Sequence, residues 1–145
     1  MQQRYLKMPI RFQSVMEGNE IPACDLPESI SKNLELIITT RFGEHRSDPE
    51  FGCEIWDLDF ELIVSARSWE EKLRQSLLQS ITRHEHRITA VELDIGISDA
   101  EKRNKILHFT EIKKRVDITV TGIISKTGEP YHYKLNMFLS PLSLD

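Results

Sequence analysis

The stretch ITTRFGEHRSDPEFGCEIWDLDFE, residues 38–61, decides how this chain folds, because it joins one apolar helical pattern to another. Gly43 follows the first pattern, and a charged turn with Pro49 and Gly52 comes next. Glycine and proline at such positions are typical of helix ends and turns. Apolar side chains then crowd into a short acidic segment, which predicts a packed connector with Trp56 and Phe60 buried. The predicted connector residues are Gly43, Pro49, Phe51, Gly52, Trp56 and Phe60.

The same stretch has carboxylates beside aromatic side chains, an arrangement that glycosidases use for acid–base catalysis. Charged residues between apolar ones also occur in any half-buried amphipathic segment, and the spacing here is not specific. We therefore predict no catalytic residue, and a cell-wall glycosidase stays as an alternative. The carboxylates are Glu54, Asp57, Asp59 and Glu61.

A first helix is predicted before the connector. Pro27 suits the first turn, and Glu28 complements the helix dipole. Gly43 is expected to close the helix by adopting a left-handed conformation. Apolar residues recur at helical spacing and define one face; they are Ile30, Leu34, Ile37, Ile38 and Phe42.

A second helix is predicted to begin at Ser68 and to continue to about His84. The sequence SWEE is a capping box, in which Ser68 and Glu71 each accept a hydrogen bond from the main chain of the other. The helix then presents an apolar face made of Trp69, Leu73, Leu77, Leu78 and Ile81.

Alternating apolar and polar residues after the second helix predict strands with one buried face. ITAVELDIGI, RVDITVTGII and YHYKLNMFL alternate in this way, while DAEKRNKI is expected to be a polar connector and SKTGEP a hairpin turn. The predicted fold is α+β, with two N-terminal helices packed on an antiparallel sheet of three to four strands that has an exposed edge strand. Residues 1–25 are predicted to be an extended N-terminal arm and residues 26–145 a single domain.

The composition narrows the possible functions. The 145 residues include 19 Lys and Arg against 23 Asp and Glu, which gives a net charge of −4. This balance disfavours nucleic acid as a partner, because phosphate contacts need cations. No apolar run is long enough for a membrane-spanning helix, and the N-terminus lacks a signal-peptide pattern. We therefore predict a cytoplasmic protein without direct membrane insertion, whose Cys24 and Cys53 are reduced thiols.

Motifs for a cofactor, a metal ion or a small-molecule substrate are missing from the sequence. His84 and His86 are two residues apart, a spacing that does not share a helix face, so solvated histidines near a helix end are expected there. Neither a nucleophile elbow nor a glycine-rich phosphate loop is present. The remaining functional feature is the open edge of the last predicted strand, to which another chain could add a strand.

The order of these segments resembles the signature region of the phage baseplate-wedge and type VI secretion baseplate family, whose type VI member is TssE. The resemblance extends over about residues 26 to 140. His86 stands where the family has a proline, which removes a fixed φ and restores an N–H group. The matching residues are Thr40, Arg41 and Gly43, then Pro49, Phe51 and Gly52, then Leu58 and Phe60, and finally Glu85, Arg87 and Ile88.

The resemblance implies a structural subunit of a contractile injection machine. Its implied partners are other baseplate wedge proteins (TssF, TssG and TssK-like) and the contractile sheath proteins. Glu85 and Arg87 correspond to a segment associated with contacts to the wedge core. The last strand is expected to act as the first template for sheath polymerisation, through Tyr131, Tyr133, Lys134, Leu135 and Met137. A generic cytoplasmic adaptor domain is the other alternative.

Overall fold

The computed structural model describes residues 4–53 and 66–139 of the chain. In these ranges, β1 and β2 form one antiparallel pair, and β3, β4 and β5 form a separate antiparallel sheet in that order. The mixture of helices and antiparallel sheets confirms the predicted α+β class. The elements are β1 (Tyr5–Leu6), α1 (Phe12–Met16), β2 (Ala23–Cys24), α2 (Leu26–Thr39), α3 (Ala66–His84), β3 (Ile88–Asn104), β4 (Phe109–Ile124) and β5 (Pro130–Leu139).

The helix α2 begins at the predicted place. Asp25 is its N-cap and accepts a hydrogen bond from the Glu28 N–H at 2.9 Å, while Pro27 lies in the first turn. This arrangement satisfies one of the main-chain donors that a helix start leaves without a partner. The predicted apolar face is fully buried at Ile30, Leu34, Ile37 and Ile38.

The end of α2 differs from the prediction. The helix stops at Thr39, because Thr40 is already extended with φ −92° and ψ 134°. The prediction that Gly43 closes the helix is therefore wrong, and Phe42 also lies beyond the helix. Gly43 instead has a φ of +81° in the following turn, where its N–H donates to the Pro49 carbonyl at 2.8 Å. The hydroxyls of Thr39 and Thr40 donate to the carbonyls of Glu35 and Leu36, and the Leu36 carbonyl also accepts the Thr40 N–H at 3.0 Å.

The helix α3 starts earlier than predicted. Ser68 and Glu71 both lie inside the helix, so the predicted capping box is wrong, and Glu71 forms an ion pair with Arg74 instead. Leu78 is 38% exposed, which makes its assignment to the apolar face wrong. The buried residues repeat every four positions, and Leu78 lies one position farther round the helix. They are Trp69, Leu73, Leu77 and Ile81.

The connector is described only as far as residue 53. Gly52 has a φ of +114°, and a Cβ there would collide with the Thr40 carbonyl oxygen, so glycine is the residue that fits. The Cys53 N–H donates to that same carbonyl at 3.0 Å, and the Ser80 hydroxyl donates to the Gly52 carbonyl at 2.5 Å. These bonds join the connector to both helices. Phe51 is half-buried and lies edge-on to the His84 ring, 5.0 Å between centroids.

Several predicted residues of the connector lie outside the described residues. The predicted burial of Trp56 and Phe60 belongs to this group, as do the carboxylates Glu54, Asp57, Asp59 and Glu61 and the family match at Leu58.

The sheet is a meander of three long strands. β3 continues to Asn104 and β4 begins at Phe109, so the prediction of a polar connector over residues 99–106 is wrong. The polar residues there continue the ladder instead, and an ion pair joins Asp99 to Lys114 directly across it. Opposite charges on facing positions stabilise such pairs. The turn between β4 and β5 is confirmed, with Gly128 at a φ of +71°.

The apolar faces of the strands meet the two long helices in one hydrophobic core. Val116, Ile118 and Val120 are buried as the alternation predicts. In the same cluster are the buried residues of α2 and α3, together with Ile95 and Tyr131. Partly buried residues from β3 and β5 surround it: Val91, Leu93, Ile97, Tyr133, Leu135 and Met137.

The N-terminal arm is less extended than predicted. Its two short strands pair Tyr5 with Cys24 and Leu6 with Ala23, so the chain folds back on itself. The Lys7 N–H extends this pairing with a 2.8 Å bond to the Pro22 carbonyl. None of the residues in α1 is buried.

Candidate interaction surfaces

The turn between α3 and β3 holds Glu85 and Arg87, the residues that the sequence analysis predicts as a wedge contact. Arg87 donates to both carboxylate oxygens of Glu85, from Nε to Oε1 at 2.8 Å and from Nη2 to Oε2 at 2.8 Å. The Arg87 main-chain N–H adds a third bond to Oε1 at 3.1 Å. Glu85 is only 2% exposed. This bidentate pair is the geometry in which an arginine binds a carboxylate most strongly, and Glu85 is too buried to meet a partner directly.

Two polar residues of α2 complete this cluster. Asn33 Nδ2 donates to Glu85 Oε2 at 2.8 Å and to the His84 carbonyl at 3.2 Å, which satisfies an acceptor at the end of α3. Arg87 Nη1 donates to the Ser29 hydroxyl at 2.8 Å. The cluster of Ser29, Asn33, Glu85 and Arg87 is called the junction below, since it ties α2 to the end of α3.

No motif in the sequence distinguishes Ser29 and Asn33 from the other polar residues of α2. Polar residues of an amphipathic helix usually face solvent, so their chemistry alone gives no signal. Their spacing of four residues places them on one side of α2. That spacing is the one feature of the sequence that connects them.

The charges of the junction stabilise each other. Burial by itself would raise the pKa of Glu85, but hydrogen bonds from Arg87 and Asn33 outweigh it and hold this pKa below its usual value. Hydrogen bonding to Glu85 in turn raises the pKa of the Arg87 guanidinium. Both groups therefore remain ionised at neutral pH, and the pair stays closed.

Arg87 is the charged member of the junction that can be reached from outside. Its side chain is 32% exposed, and its guanidinium carbon lies 5.6 Å from the centre of the Tyr5 ring. This distance is within the range of a cation–π interaction. Arg87 lines one groove between the arm and α2, and a second cleft with His86 and Lys126. His86 itself is exposed.

The other histidine and cysteine candidates have local contacts. His84 is partly buried against Phe51, which corrects the expectation of a solvated side chain there, and its Nδ1 lies 3.6 Å from Asp48. Cys24 and Cys53 are free thiols that bond to different carbonyls, and burial raises the pKa of Cys24. Over residues 4–53 and 66–139, no group of three or more His, Cys, Asp or Glu side chains could hold a metal ion.

The strand β5 turns most of its predicted pairing residues toward the core. Tyr131 is 5% exposed and its hydroxyl lies 2.7 Å from the Ser31 hydroxyl. Lys134 is exposed. Burial raises the pKa of Tyr133 to about 12. Tyr133, Leu135 and Met137 are partly buried against the core, so a strand added to β5 would pair with its main chain rather than with these side chains.

The hydrogen-bond pattern identifies which main-chain groups of β5 face the open edge. β4 and β5 are in a register that places Ile123 opposite Pro130, and the Ile124 N–H donates to the Glu129 carbonyl at 2.9 Å. Bonded pairs recur every second residue in an antiparallel ladder. The odd-numbered residues of β5 therefore bond to β4. His132, Lys134 and Asn136 direct their N–H and C=O groups to the side where the sheet has no further strand among the described residues.

None of the helices in the described part of the chain combines the length and the apolar character that crossing a bilayer requires.

Comparisons with known proteins give a family and solved structures of similar fold, two of which are described here. The family model for the baseplate wedge protein gp25 matches residues 24–128. A crystal structure of a candidate tail lysozyme from Geobacter sulfurreducens is 18% identical with a TM-score of 0.60, and the match covers 86% of this chain and 100% of that one. A chain of the type VI secretion baseplate complex is 15% identical with a TM-score of 0.50, covering 77% and 92%. No curated protein matches the chain.

Proposed function

Since the chain belongs to the baseplate wedge protein gp25 family, we propose that it is a non-catalytic wedge subunit of a type VI secretion baseplate, a TssE-like protein of the cytoplasm. The observation that carries this proposal is the family match over residues 24–128, which includes both long helices and the two longest strands. The shared fold of the type VI baseplate chain supports it. In this role the chain binds other wedge subunits and starts sheath polymerisation.

Contact with the wedge is proposed to occur through Arg87, with Glu85 as its positioning residue. The bidentate pair fixes the guanidinium, and a third of the Arg87 side chain remains open to a partner. A fixed donor loses little conformational entropy on binding, which favours this role.

Co-purification with TssF, TssG and TssK-like subunits tests the wedge role. We expect the unmodified chain to bind them and Arg87→Lys to bind more weakly, because lysine keeps the charge but lacks the planar pair of N–H donors of a guanidinium. Thermal denaturation of the variant separates lost binding from lost folding. A well-folded unmodified chain that binds none of these subunits would contradict the proposal.

Sheath nucleation is proposed to use the open edge of β5. In this proposal α2 and α3 cover the inner face of the sheet. The main-chain N–H and C=O groups of Lys134 and Asn136 at the open edge are available to pair with another strand. Such an edge can accept a strand from another chain. The charge of the exposed Lys134 would disfavour unspecific strand pairing at this edge before a sheath protein binds.

Proline substitution can separate the edge from the rest of the sheet. Lys134→Pro removes an N–H from the open edge and leaves the bonds to β4 in place, whereas Leu135→Pro removes a bond to β4. We expect Lys134→Pro to fold and to bind wedge subunits while sheath assembly fails, and Lys134→Ala to assemble normally. Normal sheath formation on folded Lys134→Pro would refute the template role.

An enzymatic role is not part of the proposal. The likeness to the candidate tail lysozyme is at 18% identity and shows the fold alone. A peptidoglycan-release assay tests this directly, with Glu54→Gln and Asp57→Asn as controls. Activity that disappears in those variants would restore the glycosidase alternative.

A further inference from the structure

The N-terminal arm concentrates exposed apolar side chains in a part of the chain that precedes the family match. Most large apolar side chains of residues 4–16 are strongly exposed, although the arm is folded. They are Leu6 at 53%, Met8 at 46%, Phe12 at 73%, Val15 at 44% and Met16 at 88%. A concentration of exposed large apolar side chains is typical of interaction sites in proteins.

The arm forms one wall of a groove whose other wall is α2. The groove has a volume of about 510 Å³ and is lined by Leu6, Met8 and Pro9 from the arm. Leu36, which is 49% exposed, lies on the opposite wall. The lining residues of α2 extend from Ser29 to Thr39, and ten residues of helix correspond to roughly 15 Å. The groove is therefore long enough for about three turns of a second helix.

The charge of the groove identifies the kind of segment that fits it. Arg87 lies at one end, with part of its guanidinium open. Between residues 4 and 11 the charged residues are all cations, namely Arg4, Lys7 and Arg11, although the whole chain has a net charge of −4. Lys7 is the one with a described ion pair among these three, to Glu28 at 3.7 Å, and both partners are exposed. Such a pair contributes little. Lys32 and Glu35 also line the α2 wall and pair with each other at 3.1 Å, so Arg87 is the charge of the lining that has no counter-charge within the lining, and the arm adds cations beside it.

A helix fits this groove better than a strand does. The two strands of the arm, Tyr5–Leu6 and Ala23–Cys24, have two residues each and pair with each other, so they are too short to direct strand addition. The α2 wall presents side chains rather than a free main-chain edge. Amphipathic helices bind such grooves through apolar residues three or four positions apart.

We infer that the groove between the arm and α2 binds an acidic amphipathic helix of another wedge subunit, whose apolar face covers Leu36 and Met8 and whose carboxylate approaches Arg87. The inference rests on the proposed function and names the chemistry of the wedge partner. The arm thereby enlarges the contact surface beside the junction, with apolar area that the junction lacks.

A matched pair of helix leucines tests the inference in the full chain. Leu36→Glu places a charge on the groove wall, and Leu78→Glu makes the same change on an exposed position of α3. Binding of the purified wedge subunits that associate with the unmodified chain is measured for both variants. We expect Leu36→Glu to bind roughly tenfold more weakly or worse, and Leu78→Glu to stay within about twofold. Circular dichroism confirms that both variants are folded.

Cross-linking identifies the occupant. A photoreactive residue at position 36 is expected to react with residues three or four apart in one acidic helix of a wedge subunit. Cross-links only to a sheath protein, only to a second copy of this chain, or only to anionic phosphatidylglycerol vesicles would overturn the inference. So would unchanged wedge binding by Leu36→Glu. In each of those cases the unmodified chain still assembles with the wedge, so the proposed function would stand, whereas no wedge binding at all would remove the proposed function first.

Discussion

The junction and the N-terminal arm touch at Arg87 and Tyr5, yet they are built in opposite ways. In the junction both carboxylate oxygens of Glu85 and the amide nitrogen of Asn33 have partners within the chain, and Glu85 is almost fully buried. In the arm, α1 buries no residue and Met16 is 88% exposed. The difference indicates that the junction fixes the position of one guanidinium, while the arm supplies apolar surface that only a partner can cover.

The strongest test of this contrast removes one member of the junction. Arg87→Ala would leave the buried Glu85 carboxylate without its main partner, so we expect the free energy of unfolding to fall by about 3 kcal/mol. Urea denaturation followed by circular dichroism measures this loss. A decrease below roughly 1 kcal/mol would show that the junction does not contribute to stability as its geometry indicates.

The matched control for Arg87→Ala replaces both members of the pair. The double variant Glu85→Met with Arg87→Met buries no unpaired charge, so we expect it to lose less than about 1.5 kcal/mol. If the double variant were less stable than Arg87→Ala, the cost would come from packing rather than from the charge left behind.

Two glycines of the connector differ in how much space the fold leaves for a side chain. Gly52→Ala would bring a Cβ against the Thr40 carbonyl at a φ of +114°, and we expect a loss of about 2–3 kcal/mol. Gly43→Ala has a φ of +81° with open space around it, so a loss of about 1 kcal/mol is expected. Thermal denaturation compares them, and equal losses would argue against the predicted collision at Gly52.

The sequence predicted the parts of the molecule whose side chains follow a repeat. The inward faces of α2, β4 and β5 were identified in this way. Apolar residues such as Ile37 and Val120 recur at the spacing of a helix or a strand, so they lie on one face of it, and that face is buried. The helix ends were predicted less well. The helix α2 stops where Thr40 becomes extended and its N–H bonds to the Leu36 carbonyl, an ending that the glycine rule does not consider.

The candidate site shows the same limit. Glu85 and Arg87 were selected through a family resemblance, and the structure adds Ser29 and Asn33, which are more than 50 residues away in the chain. A contact between two polar residues so far apart depends on how α2 meets α3, which no local pattern specifies. Apolar residues of the arm were visible in the sequence, but their exposure depends on how β1 pairs with β2.

Acid pH provides a milder test of the junction. The pKa of Glu85 is lowered from its ordinary value of 4.5, so the unfolded chain binds its proton at a higher pH than the folded chain. The stabilisation is complete above about pH 4.5 and is lost as the pH falls through the lower folded pKa. We expect Glu85→Gln to reduce the slope of stability against pH below that value by up to about 1.4 kcal/mol per pH unit. Urea denaturation between neutral and acid pH measures it, and parallel slopes in both proteins would contradict the assignment.

The smallest effect on stability is expected in the arm, and it is the most informative for function. Phe12→Ser and Met16→Ser change side chains that are 73% and 88% exposed, so the free energy of unfolding should stay within about 0.5 kcal/mol of the unmodified chain. Phe12 and Met16 lie outside the groove lining, so binding to the wedge subunits should nevertheless weaken if the partner also covers this exposed part of the arm. A clear loss of stability, above roughly 1 kcal/mol, would mean that these side chains already pack within the folded chain. The arm would then resemble the junction, whose side chains are satisfied within the chain. The contrast between the junction and an arm that exposes apolar surface for a partner would no longer hold.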